Sequence, residues 1–355
     1  MKNERTNYTN ILIIKPSALG DIALALPVIS TLRASFPNAR ISWLVRAELA
    51  PLLRCAQGLD EIIIFDRKLL GRWYASPAAF KALRDFLKTL RSRKFDLVLD
   101  LQGLLRTAFF SLRTGCKDRL GMSIARECAA LFYTNRVSPP DDSNHLTDYY
   151  NKIAGAAGAV KFSTAAALAS PQPAVKSVSE KLAGTGLAGG KYAVLVPGSA
   201  QDYKCWPGER FANIAERLTK EKGLAVIAVG AASERPIIDR IVKNAQTPVL
   251  SLAGKTDIPE LVALLKGASL VLSNDTGPGH IAAVLNSPTV IIFGPTNPSR
   301  VAPYGKPDAF AAIEPEKRGR AVESKDTAHN IADVPPQLVW EKITAVLNSC
   351  EKTTL

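Results

Sequence analysis

Two short loops carry most of the chemistry open to this 355-residue chain. The first is Lys15-Pro-Ser17-Ala-Leu-Gly20-Asp21, which follows an apolar run at 11–14 and precedes a helical pattern through Ile22, Leu26, Ile29 and Leu32. Open α/β sheets place ligands at the carboxyl end of their first strand, and Gly20 lets the backbone turn tightly enough for the Asp21 carboxylate to reach that crevice. Asp21 is therefore a candidate general base; the competing reading is that it caps the helix that follows. The second loop is Ser273-Asn-Asp275-Thr276-Gly277-Pro278-Gly279-His280, which opens a helix through Ile281, Ala282 and Leu285. Glycines at 277 and 279 permit close backbone approach, and a helix start offers free N–H groups and a positive dipole end, which suit a pyrophosphate. Gly277, Gly279 and Ala282 also satisfy G-x-G-x-x-A, yet the next apolar run, 290–293, ends in Gly294-Pro295 with no acidic residue for a ribose, which argues against NAD. His280 either bonds a phosphate here or bonds local backbone.

A third loop, Pro197-Gly-Ser199 through Lys204-Cys-Trp206-Pro207, adds a point charge in Lys204 for a leaving phosphate and a hydroxyl donor in Ser199. Trp206 reads as a core anchor beside a helix start. Glu234, after the run 224–229, is placed to accept both hydroxyls of a ribose or to stand exposed at a helix N-terminus. Gly254-Lys255-Thr256 resembles the end of a Walker loop, but Val249 holds the upstream glycine position, so no P-loop is present. His145 and His329 have no partner at metal-ligand spacing; surface positions and no metal site are expected.

These loops need a scaffold of buried strands. Apolar runs at 11–14, 41–45, 62–65 and 97–101, then at 192–196, 224–229, 249–252, 270–272 and 290–293, alternate with helical periodicity such as Phe211, Ile214, Ala215 and Leu218. That rhythm predicts two doubly wound parallel α/β domains, as does a length of about two domains at ~150 residues each. The stretch 163–190, broken by Pro171, Pro173, Gly184, Gly186, Gly189 and Gly190, is the expected linker, which gives domains at 1–175 and 176–334. A last helix within 335–355 starts after Pro335 and Pro336 and carries Val339, Ile343 and Leu347 on one face.

Composition narrows the partners. Hydrophobic residues at 47% and charged residues at 22% exclude a disordered or disulfide-stapled chain. A net charge of +13 favours polyanions, but aromatics at 7% and the lack of a Lys/Arg block argue against nucleic acid and for a phosphate-bearing substrate or surface. Five cysteines without a CxxC pair predict neither a disulfide framework nor a zinc knuckle, and fit a reducing cytoplasm. The polar residues 1–10 and the short run 11–14 predict no signal-peptide core, so any membrane contact is expected to be peripheral.

Together the segments resemble glycosyltransferase family nine, the ADP-heptose:lipopolysaccharide heptosyltransferases. The resemblance lies in Lys15 to Asp21, in Lys204-Cys-Trp206-Pro207, in Gly254-Lys255-Thr256, and in Asp275 to His280 followed by Phe293-Gly-Pro-Thr296, and it spans nearly the whole chain. Asp100-Leu-Gln102-Gly103 and Ala125-Arg126-Glu127 with Leu131-Phe-Tyr133 are similar to the heptosyltransferase I branch, which adds the first heptose to Kdo-lipid A. Pro278-Gly279 stand where the family more often has Leu-Ser, Ala200 replaces a second hydroxyl residue of that branch, and 313–330 lacks the cysteines typical of heptosyltransferase II.

The resemblance implies a GT-B architecture: two facing Rossmann-like domains, acceptor on the first, nucleotide sugar on the second, the last helix returning to the first. It implies a metal-independent, inverting transfer without cofactor, with Asp21 and Lys204 as catalytic residues. Ser199, Lys204, Glu234, Lys255, Thr256, Asp275, Thr276, Gly277, Gly279 and His280 would hold the ADP-sugar. Lys15, Ser17, Gln102, Arg106 and Arg126 would hold the anionic acceptor, Kdo-lipid A, although either arginine also reads as a solvated helix residue. The charge surplus fits that acceptor and attraction to an anionic inner leaflet from the cytoplasmic side. Another donor sugar or core acceptor, or a nucleotide- or NAD-binding protein without transfer, stays open as an alternative.

Overall fold

The computed structural model describes residues 7–71, 74, 76–183, 190–319 and 321–354. The glycines at 184, 186 and 189 of the expected linker lie outside the described residues. The chain divides into two units, Met1–Ala167 and Leu168–Leu355.

In the first unit the apolar runs become strands because a chain segment without polar side chains is satisfied only when buried on both faces. The strands are β1 (Asn10–Ile14), β2 (Arg40–Arg46), β3 (Glu61–Phe65), β4 (Leu97–Asp100), β5 (Asp118–Met122) and β6 (Asn135–Val137). They form one all-parallel sheet in the order β3-β2-β1-β4-β5-β6. Ile14 of β1 pairs with Leu44 on one side and Asp100 on the other. One face packs Leu12, Ile14, Leu44 and Val98 against Phe65, Leu87, Leu90 and Phe110. The strand order reverses between β1 and β4, so the loops after Ile14 and Asp100 meet at the switch point, where such sheets bind ligands.

The second unit repeats the plan with β7 (Tyr192–Val196), β8 (Ala225–Ala228), β9 (Val249–Ser251), β10 (Leu270–Asn274), β11 (Thr289–Ile292) and β12 (Phe310–Ala311). The order is β12-β11-β10-β7-β8-β9, which brings the loops after Val196 and Asn274 together at a second switch point. Its core runs through Leu195, Trp206, Phe211 and Leu272.

The structure departs from expectation in three places. The first unit ends at Ala167 rather than 175. The supposed linker contains the helix Gln172–Ala183, which Ser177 and Lys181 fasten to Glu260 at 2.5 Å each. Pro173 is tolerated because it sits in the first turn, where a missing N–H costs nothing. The last helix, Pro336–Thr354, was expected to return to the first domain, but it buries Val339, Trp340 and Ile343 in the second unit's own core. There the Arg217 guanidinium lies 4.1 Å from the centre of the Trp340 ring. Among the described residues no helix is long and apolar enough to cross a membrane.

Candidate functional site

Each unit carries a cluster at its switch point. In the first, the Lys15 carbonyl accepts the Trp43 indole N–H at 3.0 Å, which fixes the turn as it leaves β1. The buried Lys15 ammonium lies 3.3 Å from Asp21 Oδ2 and 5.8 Å from the Tyr150 ring centre. Burial alone would lower its pKa, but the Tyr150 and Asp21 oxygens outweigh that and raise it, so the side chain stays charged.

Asp21 is the third residue of the helix Leu19–Ala25. Ala18 at the N-cap has no side-chain acceptor, and the Asp21 carboxylate reaches its N–H at a long 3.4 Å. The capping reading is therefore partly right. With 44% of the side chain exposed, the same carboxylate remains open to a ligand. Ser17 stands half-buried between the two.

Across the switch point, Asp100 is fully buried at the end of β4. Its carboxylate accepts the N–H groups of Gln102 at 2.9 Å and Gly103 at 3.2 Å and the Tyr133 hydroxyl at 2.9 Å. Burial raises its pKa against those bonds. Asp100 thus fixes the loop that presents Gln102, whose own buried Oε1 has no partner among the described residues. The Arg126 N–H bonds the Gly103 carbonyl at 2.9 Å, so Arg126 stands against this loop with its side chain exposed. Arg106 lies on the helix Leu105–Arg113 with its guanidinium 6.0 Å from the Phe65 ring, facing a groove on that side of the unit.

In the second unit Asn274 ties two loops together. Its Nδ2 donates to the Pro197 carbonyl at 2.7 Å and its Oδ1 accepts the Trp206 N–H at 3.2 Å. Trp206 is fully buried, donates its indole N–H to Val334 at 3.0 Å and packs edge-on against Phe211, which is the anchoring role.

This places the Lys204 ammonium 3.5 Å from Asp275 Oδ2 and 2.7 Å from Glu323 Oε1. Asp275 Oδ1 meets His280 Nε2 at 2.9 Å, and His280 Nδ1 is buried without a partner among the described residues. Burial would raise the Asp275 pKa, yet the His280 bond and charge, the Thr296 hydroxyl and Lys204 together hold it at about 2. For Lys204 burial opposes the charge, and the Glu323 and Asp275 carboxylates win, raising its pKa.

Sequence reasoning missed Glu323. It arrives through an antiparallel bridge to Thr296, in a segment that Arg318 ties back by donating to the Thr296 and Ile313 carbonyls at 2.5 and 2.9 Å. No local pattern announces such a return.

The helix Gly277–Val284 begins against β10: a Cβ on Gly279 would stand 2.6 Å from Ser273 Oγ, which only glycine avoids. Thr276 is its N-cap, and the first N–H groups of any helix lack intrahelical partners. Glu234 lies across Gly198, where an added Cβ would collide with its carboxyl, and accepts the Ala231 N–H at 2.6 Å. It caps its own helix half-buried beside Ser199, where the competing reading had it exposed at the helix N-terminus. Gly254 bonds the Gly230 carbonyl at 2.8 Å, which sets the exposed Lys255 and half-buried Thr256 next to the Glu234 loop.

His145 and His329 are not surface residues. His145 Nδ1 accepts the Thr147 N–H at 3.2 Å at a helix start, and His329 Nδ1 meets Ser324 Oγ at 2.6 Å, both rings being buried.

The family model for glycosyltransferase family 9 (heptosyltransferase) matches residues 83–331. Among curated proteins, lipopolysaccharide heptosyltransferase 1 of Pseudomonas aeruginosa PAO1 is 30% identical over 83% of this chain and 81% of its own length. Lipopolysaccharide heptosyltransferase 3 of Escherichia coli K12 is 26% identical over 78% and 80%. Among solved structures, E. coli heptosyltransferase WaaC with ADP aligns with a TM-score of 0.74 at 22% identity, covering 95% of this chain and all of that one, which is a likeness of fold.

Proposed function

The chain belongs to glycosyltransferase family 9, the heptosyltransferases, with the GT-B pair of doubly wound parallel sheets, and on that premise we propose that it moves heptose from ADP-heptose to Kdo-lipid A. The observation that carries this reading is the placement of both clusters at the switch points of the two sheets, one built around an open carboxylate and the other around a lysine and a helix start.

In this reading the second unit takes the donor. The amides opening the helix Gly277–Val284 and the Lys204 ammonium hold the diphosphate, with Ser199, Lys255, Thr256 and His280 around it and Glu234 on the ribose. Half-exposed Glu323 occupies the ammonium in the resting protein, and the donor phosphate takes its place. Asp275, tied to both Lys204 and His280, keeps them in position.

The first unit takes the acceptor. Gln102 serves the acceptor as a neutral donor, and Lys15, Ser17, Arg106 and Arg126 meet phosphates and carboxylates. Asp21 removes the acceptor hydroxyl proton as that oxygen bonds the anomeric carbon. The bond from that carbon to the ADP oxygen breaks on the opposite face, ADP leaves, the centre inverts, and the proton rests on Asp21. The positive groups already beside the diphosphate are the reason to assign the step no metal. The +13 charge supports an enzyme working at the cytoplasmic face, in peripheral contact with an anionic membrane.

The test is incubation of the purified chain with ADP-heptose and Kdo-lipid A, read by mass spectrometry. Acceptor gaining one heptose with stoichiometric ADP supports the assignment. Gain only on an already heptosylated acceptor would move the enzyme to a later core step, and thermal stabilisation by NAD rather than ADP would remove it from sugar transfer.

A further inference from the structure

The first unit has a groove of about 950 Å³ between the helices Pro77–Ser92 and Leu105–Arg113, and none of the residues that position Asp21 or Gln102 lines it. On the first helix Phe80, Leu83 and Leu87 form one apolar row, and Arg84, Lys88 and Arg91, at the same helical spacing, form a basic row beside it. The second helix answers with Phe109 on the apolar side and Arg106 and Arg113 on the basic one.

Phe80 is 54% exposed, although a side chain of that size is ordinarily buried. Lys88, Arg91, Arg106 and Arg113 make no ion pair among the described residues, and Arg84 has only an exposed contact to Asp85 at 3.5 Å. Among the described residues Glu127 is the one acidic side chain lining the groove, and its carboxylate accepts the Leu105 N–H at 3.1 Å, where it serves the helix start. An apolar trough edged by cations, four of them without an ion pair among the described residues, fits a ligand with a hydrocarbon body and an anionic head.

We propose that this groove seats an acyl chain of a phosphate-bearing membrane lipid, with the basic row on the headgroup phosphate. The proposal deepens the reading of an enzyme that meets a lipid-linked acceptor at a membrane, and it names the surface that makes the contact. Charge complementarity selects this occupant over a neutral hydrophobic partner, since five basic side chains would gain nothing from the latter.

The full chain is to be sedimented with phosphatidylcholine vesicles with and without phosphatidylglycerol, and cross-linked to phosphatidylglycerol bearing a diazirine on its acyl chain. Expected are binding that requires phosphatidylglycerol, a loss of about tenfold in Phe80→Ser, a further salt-sensitive loss of about fivefold per charge in Arg84→Ser with Lys88→Ser, and cross-links within 77–113. Binding unchanged in Phe80→Ser, equal binding to neutral vesicles, or cross-links confined to other peptides would overturn it. Transfer to a soluble, deacylated Kdo acceptor should be unaltered in these variants. A chain that binds vesicles through this groove but transfers no heptose refutes the proposed function alone; one that transfers heptose but fails the vesicle and cross-link tests refutes the groove alone.

Discussion

Replacing Lys204 by alanine separates the two things its ammonium does. In the resting protein it lies 2.7 Å from Glu323 and 3.5 Å from buried Asp275, so its removal strands a carboxylate that keeps only its His280 and Thr296 neighbours. A buried group losing one charged partner of several costs about 1–2 kcal/mol, and in a unit of this size each kcal/mol is roughly 2–4 °C in Tm. For the donor, a hydrogen bond to a charged group contributes about 1.5–3 kcal/mol. Because a bound diphosphate only replaces Glu323, the low end applies to binding, about tenfold in the donor KM. As charge builds on the departing phosphate the upper end applies, about a hundredfold in kcat. Steady-state kinetics with ADP-heptose, together with melts with and without ADP, measure both. A variant whose donor constants are unchanged, or in which the acceptor constant alone moves, would show that Lys204 serves the other substrate.

Asp275 ties stability to acid. Its folded pKa of about 2 lies below the ordinary 3.8, so its contribution, about 2 kcal/mol at ~1.4 kcal/mol per unit, is complete above pH 3.8 and lost as the pH falls toward 2. Chemical denaturation should show this slope in the wild type and a flatter one in Asp275→Asn. Gly279→Ala should lower Tm by several degrees through the clash with Ser273, at about 1–3 kcal/mol, and weaken ADP binding with it; an unperturbed melt would contradict the close approach. Arg126→Ala should raise the acceptor constant at low salt, less so as salt increases, with the donor constant nearly fixed; unchanged acceptor kinetics would make it a solvated arginine.

Much of this architecture was legible because buried parallel strands are nearly pure Ile, Leu and Val. Tyr192–Val196 matched its strand residue for residue, and others shifted only at their ends. The strands missed were Asn135–Val137 at the sheet edge and Asp118–Met122 beside it, both carrying charged residues that break the apolar run, and the two-residue Phe310–Ala311. The boundary between the units does fall inside the stretch 163–190, but the helix Gln172–Ala183 within it went unread, because a proline near a helix start resembles a breaker until the first turn is seen to accommodate it. In the clusters, the grouping of Lys15 with Asp21 and of 275–280 was readable, since each belongs to a single strand-to-helix turn, whereas the His280 bond to the Asp275 side chain rather than to backbone was not. Glu323 on Lys204 and Tyr133 on Asp100 were not, because contacts between residues far apart in sequence leave no spacing to read.

The central claim is that Asp21 takes the proton of the attacking hydroxyl. Single-turnover transfer by Asp21→Ala, at saturating ADP-heptose and acceptor, tests it most directly when paired with ADP binding and a melt on the same sample. A folded protein with wild-type ADP affinity and a transfer rate reduced at least ~100-fold is expected. A folded variant that retains more than about a tenth of the wild-type rate would contradict it.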